Sequence, residues 1–221
     1  MEQAGRRQKI AIALLRFFGR LLEKLLTRTV VTGLENVPRD IHPLIFAGNH
    51  ASTYDPVAML MHVPVDVRLI GPGDFKLLFP GDLLVKALGV VLIQRGKADR
   101  DSLKKMRGIL ENGENLALFA DGGTWEKRLE DVKPGAAYLS YTTGARIVPV
   151  SLGGTYQVWS KIFRLQRPQI TIHFEPPLPP VEITDRKQRG EELQAASLGL
   201  MRLIYQHLPA EDQARYDLYA R

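Results

Sequence analysis

Seven short apolar runs, separated by stretches of helical periodicity, restrict the fold of this chain more than any other feature. The runs are Thr29–Thr32, Leu44–Gly48, Val67–Ile70, Val90–Gln94, Leu116–Ala120, Arg146–Leu152 and Gln169–Glu175. Each has the length of a strand. Among and after them, Pro56–His62, Asp82–Leu88, Arg100–Glu111, Gly135–Thr143 and Arg186–His207 read as helices. A parallel pair needs a long crossover, usually a helix, so this alternation predicts an α/β domain. The expectation is a mostly parallel central sheet of about seven strands flanked by helices. No repeat interrupts the pattern, and 221 residues suit one domain with a small appendage. Pro176, Pro177, Pro179 and Pro180 make a stiff exit from the last strand. Leu193, Leu200, Leu203 and Ile204 give the final helix one apolar side for packing.

The appendage is the N-terminus. The net charge is +6, and residues 1–28 hold seven basic groups against Glu2 and Glu23, so that segment carries +5 of it. A basic terminus on a nearly neutral remainder points to a polyanion, either a membrane or a nucleic acid. Residues 8–28 also read as a helix. Ile10, Leu14, Phe17, Leu21 and Leu25 recur at helical spacing, with Leu15, Phe18, Leu22 and Leu26 widening the stripe. The uncharged run Ile10–Leu15 is far too short to span a bilayer, and no cleavage site follows a long apolar core. Such a helix can lie in the membrane interface, with Phe17 and Phe18 in the lipid and Arg16 and Arg20 at the headgroups. The plainer alternative is a helix docked on its own domain with a solvated basic face. The first reading divides the chain into a membrane-binding helix, 1–28, and a domain, 29–221. It places the protein peripherally or monotopically on the cytoplasmic face of a membrane. The chain has no cysteine, which excludes a thiolate nucleophile, a thiolate metal site and a disulfide framework, and fits a reducing compartment.

The chemistry gathers after the second strand, where Leu44–Gly48 runs into Asn49-His50-Ala51-Ser52-Thr53-Tyr54-Asp55-Pro56. Sites in α/β sheets form where strands end and helices begin. A turn between His50 and Asp55 can bring carboxylate to imidazole, fixing its tautomer and stabilising the imidazolium. His50 could then take a proton from an alcohol. If the alcohol belongs to the substrate, no serine or cysteine nucleophile is needed. The pair is a weak signal alone, expected by chance at roughly 0.3 per chain of this composition. Asp55 followed by Pro56 is also a good helix start, with Asp55 as N-cap, and a lone His50 could be a structural histidine.

Further segments give the pair a context. Downstream lie Gly89-Val-Val-Leu-Ile-Gln-Arg95, Phe119-Ala-Asp-Gly-Gly-Thr-Trp125, Lys133-Pro-Gly135 and Val148-Pro149-Val150. With Asn49, His50 and Asp55 matching an Asn-His-x4-Asp block, the ordered set resembles the lysophosphatidic acid acyltransferase superfamily from about residue 30 to residue 175. The resemblance implies that His50 is a general base oriented by Asp55, and that an acceptor hydroxyl attacks the thioester of acyl-CoA or acyl-carrier protein. Backbone donors at the Asp121-Gly122-Gly123 turn would hold the oxyanion; the same glycines also suit a plain tight turn. Arg95 carries over the family's second-block arginine, associated with the acceptor's phosphate. Asn49, Thr124 and Lys133 fall within the matched blocks and join the candidate substrate-binding residues.

The sequence also departs from the pattern. Asp121 stands for the family's glutamate, Ala120 for its proline and Thr124 for its third-block arginine. Pro72 occupies the place of a basic residue, and Lys76, Lys127 and Arg128 are the nearby cations that could compensate. Threonine cannot grip phosphate as a guanidinium does. The implied acceptor is lysophosphatidic acid, giving phosphatidic acid, with another lysolipid or a glycolipid alcohol as the alternative. A non-catalytic lipid-binding module on the same fold is a further alternative. A nucleic-acid-binding protein fits poorly, because the basic segment is also strongly apolar. A serine hydrolase lacks its Gly-x-Ser-x-Gly elbow. His42, His62, His173 and His207 show no metal-ligand spacing, so neither metal nor cofactor is expected. Trp125, Tyr156, Trp159 and Phe163 read as packing or boundary residues.

Overall fold

A computed structural model of the chain describes residues 10–73, 85, 88–93, 100–121, 129 and 132–218. Seven strands form one sheet: β1 (Arg28–Thr32), β2 (Leu44–Gly48), β3 (Arg68–Pro72), β4 (Val91–Ile93), β5 (Leu116–Phe119), β6 (Arg146–Gly153) and β7 (Gln169–Phe174). Their order is β1-β7-β6-β2-β5-β3-β4. Pairing is parallel except between β6 and β7. All seven apolar runs are therefore strands of one largely parallel sheet, as the alternation predicts.

The helices are α1 (Arg20–Leu26, preceded by a π-helical turn over Leu15–Gly19), α2 (Asp55–His62), α3 (Arg100–Glu111), α4 (Gly135–Thr143), α5 (Val158–Phe163), α6 (Arg189–Gln206) and α7 (Ala210–Leu218). The helix expected over Asp82–Leu88 lies largely outside the described residues. α5 spans only six residues, too few for its i, i+4 pair Val158 and Ile162 to stand out in sequence, and charge-rich α7 lacks an apolar stripe.

β2 is central and buried along its whole length, which is why it reads as an unbroken apolar run. Side chains alternate across it. Leu44 and Phe46 join a core with α2, α5 and Ile12. Ile45 and Ala47 join a core with Met106 and Leu110 of α3, Ala136 and Leu139 of α4, and Leu200 and Ile204 of α6. The helix after β2 packs on one face and the helix after β5 on the other. The crossovers from β2 to β3 and from β5 to β6 run to opposite sides of the sheet, opening a crevice at the carboxyl ends of β2 and β5. His50 and Asp121 lie there.

Asn115 closes the opposite end. Its Oδ1 accepts from Leu44 N–H at 2.9 Å and lies 3.0 Å from His42 Nδ1, while its amide donates to Asp66 O at 2.8 Å. One side chain thus ties together the approaches to β2, β3 and β5.

The N-terminal helix docks with Arg16, Arg20 and Glu23 facing the domain alongside the buried Ile12. Arg16 donates to Leu60 O, Val63 O and Val65 O at 3.1, 2.8 and 2.8 Å. Arg20 donates to Met61 O. Leu60 O and Met61 O are carbonyls that the last turn of α2 leaves without helical partners, and Val63 O and Val65 O lie just beyond it. At Gly19 the backbone approaches α2 so closely that a Cβ would lie 2.6 Å from Met61 Sδ. Glu23 is buried and takes a hydrogen bond from the Tyr54 hydroxyl, with His62 Nε2 at 2.9 Å from its other oxygen. The large apolar side chains Ile10, Leu14, Phe17, Phe18, Leu21, Leu22 and Leu25 all remain exposed.

Burial pushes the Glu23 carboxyl pKa up, but the bonds from His62 and Tyr54 outweigh it and hold the group below its ordinary value. A lowered carboxyl pKa supplies stability above the unfolded value and loses it as pH falls through the folded one. Docking of the N-terminal helix should weaken as pH drops from about 4.5 through the lowered value, followed as growing protease sensitivity of the 10–27 segment. Glu23→Ala should cost about 2–3 kcal/mol in urea denaturation, because two buried polar partners lose their acceptor.

Candidate active site

The chain leaves β2 at Gly48 and turns through Asn49–Tyr54 into α2. The amide of Asn49 is buried and occupied on both sides by one residue of β6: it donates to Leu152 O at 2.9 Å and accepts from Leu152 N–H at 2.8 Å. This two-way bond mimics a ladder pair beyond the last residue of β2. Asn49 accordingly positions the turn, whereas the sequence places it among substrate-binding residues.

His50 comes next, with Nδ1 3.0 Å from Asp55 Oδ2. The same oxygen accepts the N–H groups of Ala51 at 2.6 Å and Ser52 at 2.7 Å. Asp55 is fully buried, where an unpaired carboxylate would be costly; three donors converging on one oxygen offset that cost. The expected N-cap at Asp55 is replaced by a different arrangement. Tyr54 holds the cap position, and Asp55 is the first residue of α2. Its carboxylate folds back onto residues 50–52 because the imidazole and two free amides precede it. Pro56 still stands in the first turn, where no N–H is required.

An acceptor carboxylate at Nδ1 selects the Nδ1–H tautomer and leaves Nε2 with its lone pair. The His50 side chain is 11% exposed, enough for a substrate atom to reach the ring edge. Its face stacks on Phe119 of β5, with centroids 4.2 Å apart and planes 18° apart. The His50 backbone N–H donates to Asp121 Oδ2 at 2.7 Å. Asp121, proposed by sequence for substrate, thus holds the turn of His50 from the end of β5.

Tyr216 is a residue that sequence reasoning missed. Asp212 anchors α7 by accepting from Gly154 N–H at 2.6 Å. One turn later the Tyr216 hydroxyl sits against the Asn49 amide, near Asp121 and Asp55. Burial first, then these carboxylates, push the phenol pKa up, so it remains a neutral hydroxyl. No local motif marks this tyrosine; only the tertiary path of α7 brings it to the turn.

The remaining candidates fall in several places. Lys133 is exposed, and its backbone N–H donates to Ala120 O at 3.3 Å ahead of α4. Arg95, Gly122, Gly123 and Thr124 lie outside the described residues, as do Lys76, Lys127 and Arg128. Phe17 and Phe18 are exposed. The guanidiniums of Arg16 and Arg20, read in sequence as headgroup contacts, are bonded to the end of α2 instead. Of the histidines outside the turn, His62 meets Glu23 and His42 meets Asn115. His173, Glu175 and His207 come together from β7 and the end of α6, with His207 Nδ1 2.5 Å from Glu175 Oε1, a grouping that linear spacing could not reveal.

The geometry defines an α/β protein with a hydrogen-bonded histidine–aspartate pair at the carboxyl edge of its sheet. The chain belongs to the acyltransferase family, whose profile matches residues 28–153, from β1 through β6. It is 26% identical over 134 residues to a chloroplastic 1-acyl-sn-glycerol-3-phosphate acyltransferase of Brassica napus, covering 59% of this chain and 39% of that protein. With the corresponding protein of Arabidopsis thaliana it shares 29% over 131 residues, 58% of this chain and 36% of the relative. The chain thus spans less than half the length of these relatives. The fold is that of the 1-acyl-sn-glycerophosphate (LPA) acyltransferase PlsC of Thermotoga maritima, at TM-score 0.62 and 20% identity over 89% of this chain and 80% of that one.

Asn49→Ala should destabilise the domain by about 1–3 kcal/mol in urea titration, because both Leu152 peptide groups lose a buried partner. A change below a few tenths would show that the clamp is idle.

Proposed function

We propose that this protein transfers a fatty acyl group from acyl-CoA or acyl-carrier protein to the hydroxyl of a lysophospholipid at a membrane surface. The acceptor we favour is lysophosphatidic acid, with phosphatidic acid as product. One observation carries this reading: His50 is held by Asp55 through Nδ1, inside an acyltransferase-family domain, so that Nε2 is the free base. The names of the relatives support the acceptor. Thr124 in the place of the family's third-block arginine is the reason to keep another lysolipid or a glycolipid alcohol in the test.

In the proposed reaction Nε2 takes the proton of the acceptor hydroxyl as its oxygen attacks the thioester carbonyl. Asp55 stabilises the imidazolium that forms. The tetrahedral intermediate collapses, the new ester keeps the acyl group, and the departing thiolate takes the proton back from Nε2. No cofactor takes part; the acyl thioester enters as substrate. Asp121, Asn49 and Tyr216 keep the turn rigid, which matters because misplacing a base by about 1 Å can cost roughly a hundredfold in rate.

The outward apolar face of the N-terminal helix supports an interfacial location. In water those side chains gain nothing; each would gain about 1.5–3 kcal/mol if fully buried. Among the described residues no helix is long and apolar enough to cross a membrane, so the reading is of a helix lying in one leaflet, peripheral or monotopic, on the cytoplasmic face. A lysolipid could then reach His50 without its chain crossing water.

Transfer from radiolabelled long-chain acyl-CoA to a lysolipid panel on anionic vesicles should fall about a hundred- to ten-thousand-fold in His50→Ala, with unchanged folding. Asp55→Asn should lower kcat with little change in KM. Undiminished turnover in His50→Ala would overturn the mechanism. No transfer by wild type from either acyl-CoA or acyl-carrier protein would favour a lipid-binding module.

A further inference from the structure

The segment between α5 and β7 combines two features that are unfavourable in water. Phe163 is 82% exposed and Leu165 83%. Leu165 also has φ 56°, in the left-handed region that suits glycine. The cause is local. Leu165 N–H donates to Ile162 O at 2.8 Å and Gln166 N–H to Lys161 O at 3.0 Å. This is the paired closure of a Schellman motif, with Leu165 at the left-handed position where glycine usually stands. Glycine there would relieve the strain and forfeit no burial. Leucine is useful at this position only if its side chain enters an apolar medium that the isolated chain lacks.

The loop is held firmly beside the N-terminal helix. Val158 and Ile162 bury the inner side of α5 in the core. Trp159 donates to Thr53 Oγ1 at 2.9 Å, and its ring meets Tyr54 edge-on at 5.8 Å. Tyr54 is the residue that bonds Glu23 of α1. At the far end of the loop, Arg167 donates to Lys24 O at 2.8 Å, at the end of α1. Phe163 and Leu165 are therefore carried on a loop tied to the end of α1, whose Leu21, Leu22 and Leu25 are likewise exposed. The charge fits an anionic lipid surface. Residues 155–168 include Lys161, Arg164 and Arg167 and no acid, and Arg164, Lys24 and Arg28 are exposed.

We propose that Phe163 and Leu165 form a second membrane-inserting element, which enters an anionic bilayer beside the N-terminal helix and fixes the tilt of the domain on the lipid surface. One helix lying in an interface leaves the domain free to roll about the helix axis. A second point of insertion off that axis removes this freedom and sets how the crevice of His50 meets the lipid. The proposal rests on the interfacial reading of the N-terminal helix.

The test uses the absence of native cysteine. Leu165→Cys and Leu25→Cys, each labelled with an environment-sensitive fluorophore, are mixed with phosphatidylglycerol–phosphatidylcholine vesicles containing brominated acyl chains. Both labels should shift to the blue and be quenched. Quenching at position 25 with none at 165 would overturn the second element and leave the helix reading intact; no quenching at either would overturn both. A shift at 165 that grows with protein concentration without vesicles would assign the patch to a second copy of the chain and overturn the proposal. In the unlabelled protein, Leu165→Gly should raise Tm while weakening vesicle binding roughly tenfold. Equal or tighter vesicle binding by that variant would contradict the role of Leu165.

Discussion

A single buried oxygen organises the centre of this protein. Asp55 Oδ2 receives the imidazole of His50 and the backbone N–H groups of Ala51 and Ser52. Removing a carboxylate from water is tolerable only when such donors are already in place, so the turn and the charge require each other. The turn also connects β2, the most buried strand, to α2, which begins with Asp55. Sheet, crevice and the His50 imidazole are thereby fixed relative to one another. Asn49 and Asp121 extend the same logic outward, one joining the turn to β6 and the other to the end of β5.

The N-terminal helix joins this arrangement through α2. Arg16 and Arg20 occupy the carbonyls at its carboxyl end, and Glu23 links Tyr54, just before it, to His62, its last residue. The charges of the N-terminal helix are thus partly consumed in docking, and most of its large apolar side chains are turned outward, Ile12 alone among the described ones being buried in the core. Any surface that receives those side chains is mechanically coupled to the helix on which Asp55 stands. For an enzyme working on a lipid, as proposed, this coupling would set the height of the base above the membrane.

Strand positions were legible in the sequence because each strand is a compact apolar run, and β2 and β6 are buried along nearly their full lengths. The pairing of His50 with Asp55 was also legible, since five residues suffice for a turn to bring them together. Its backbone partners were not, because the same Asp-Pro step reads equally well as an N-cap. Asp121 was found by its place in a block, but its hydrogen bond to His50 N–H spans 71 positions. Tyr216 reaches the site from α7, whose charged sequence carries no apolar stripe. Composition correctly marked the N-terminal helix as basic and amphipathic. It could not show that Arg16 and Arg20 face inward, because periodicity gives the sides of a helix and not which neighbour each side meets.

With its carboxylate 3.0 Å from Nδ1, Asp55 should hold His50 as the Nδ1–H tautomer with Nε2 free. Nitrogen-15 NMR of the imidazole rings, with His50 assigned by comparison with His50→Ala, tests this directly at neutral pH. The expected result is a proton on Nδ1 and a pyridine-type shift at Nε2. A proton on Nε2, or two averaged shifts from rapid tautomer exchange, would contradict it.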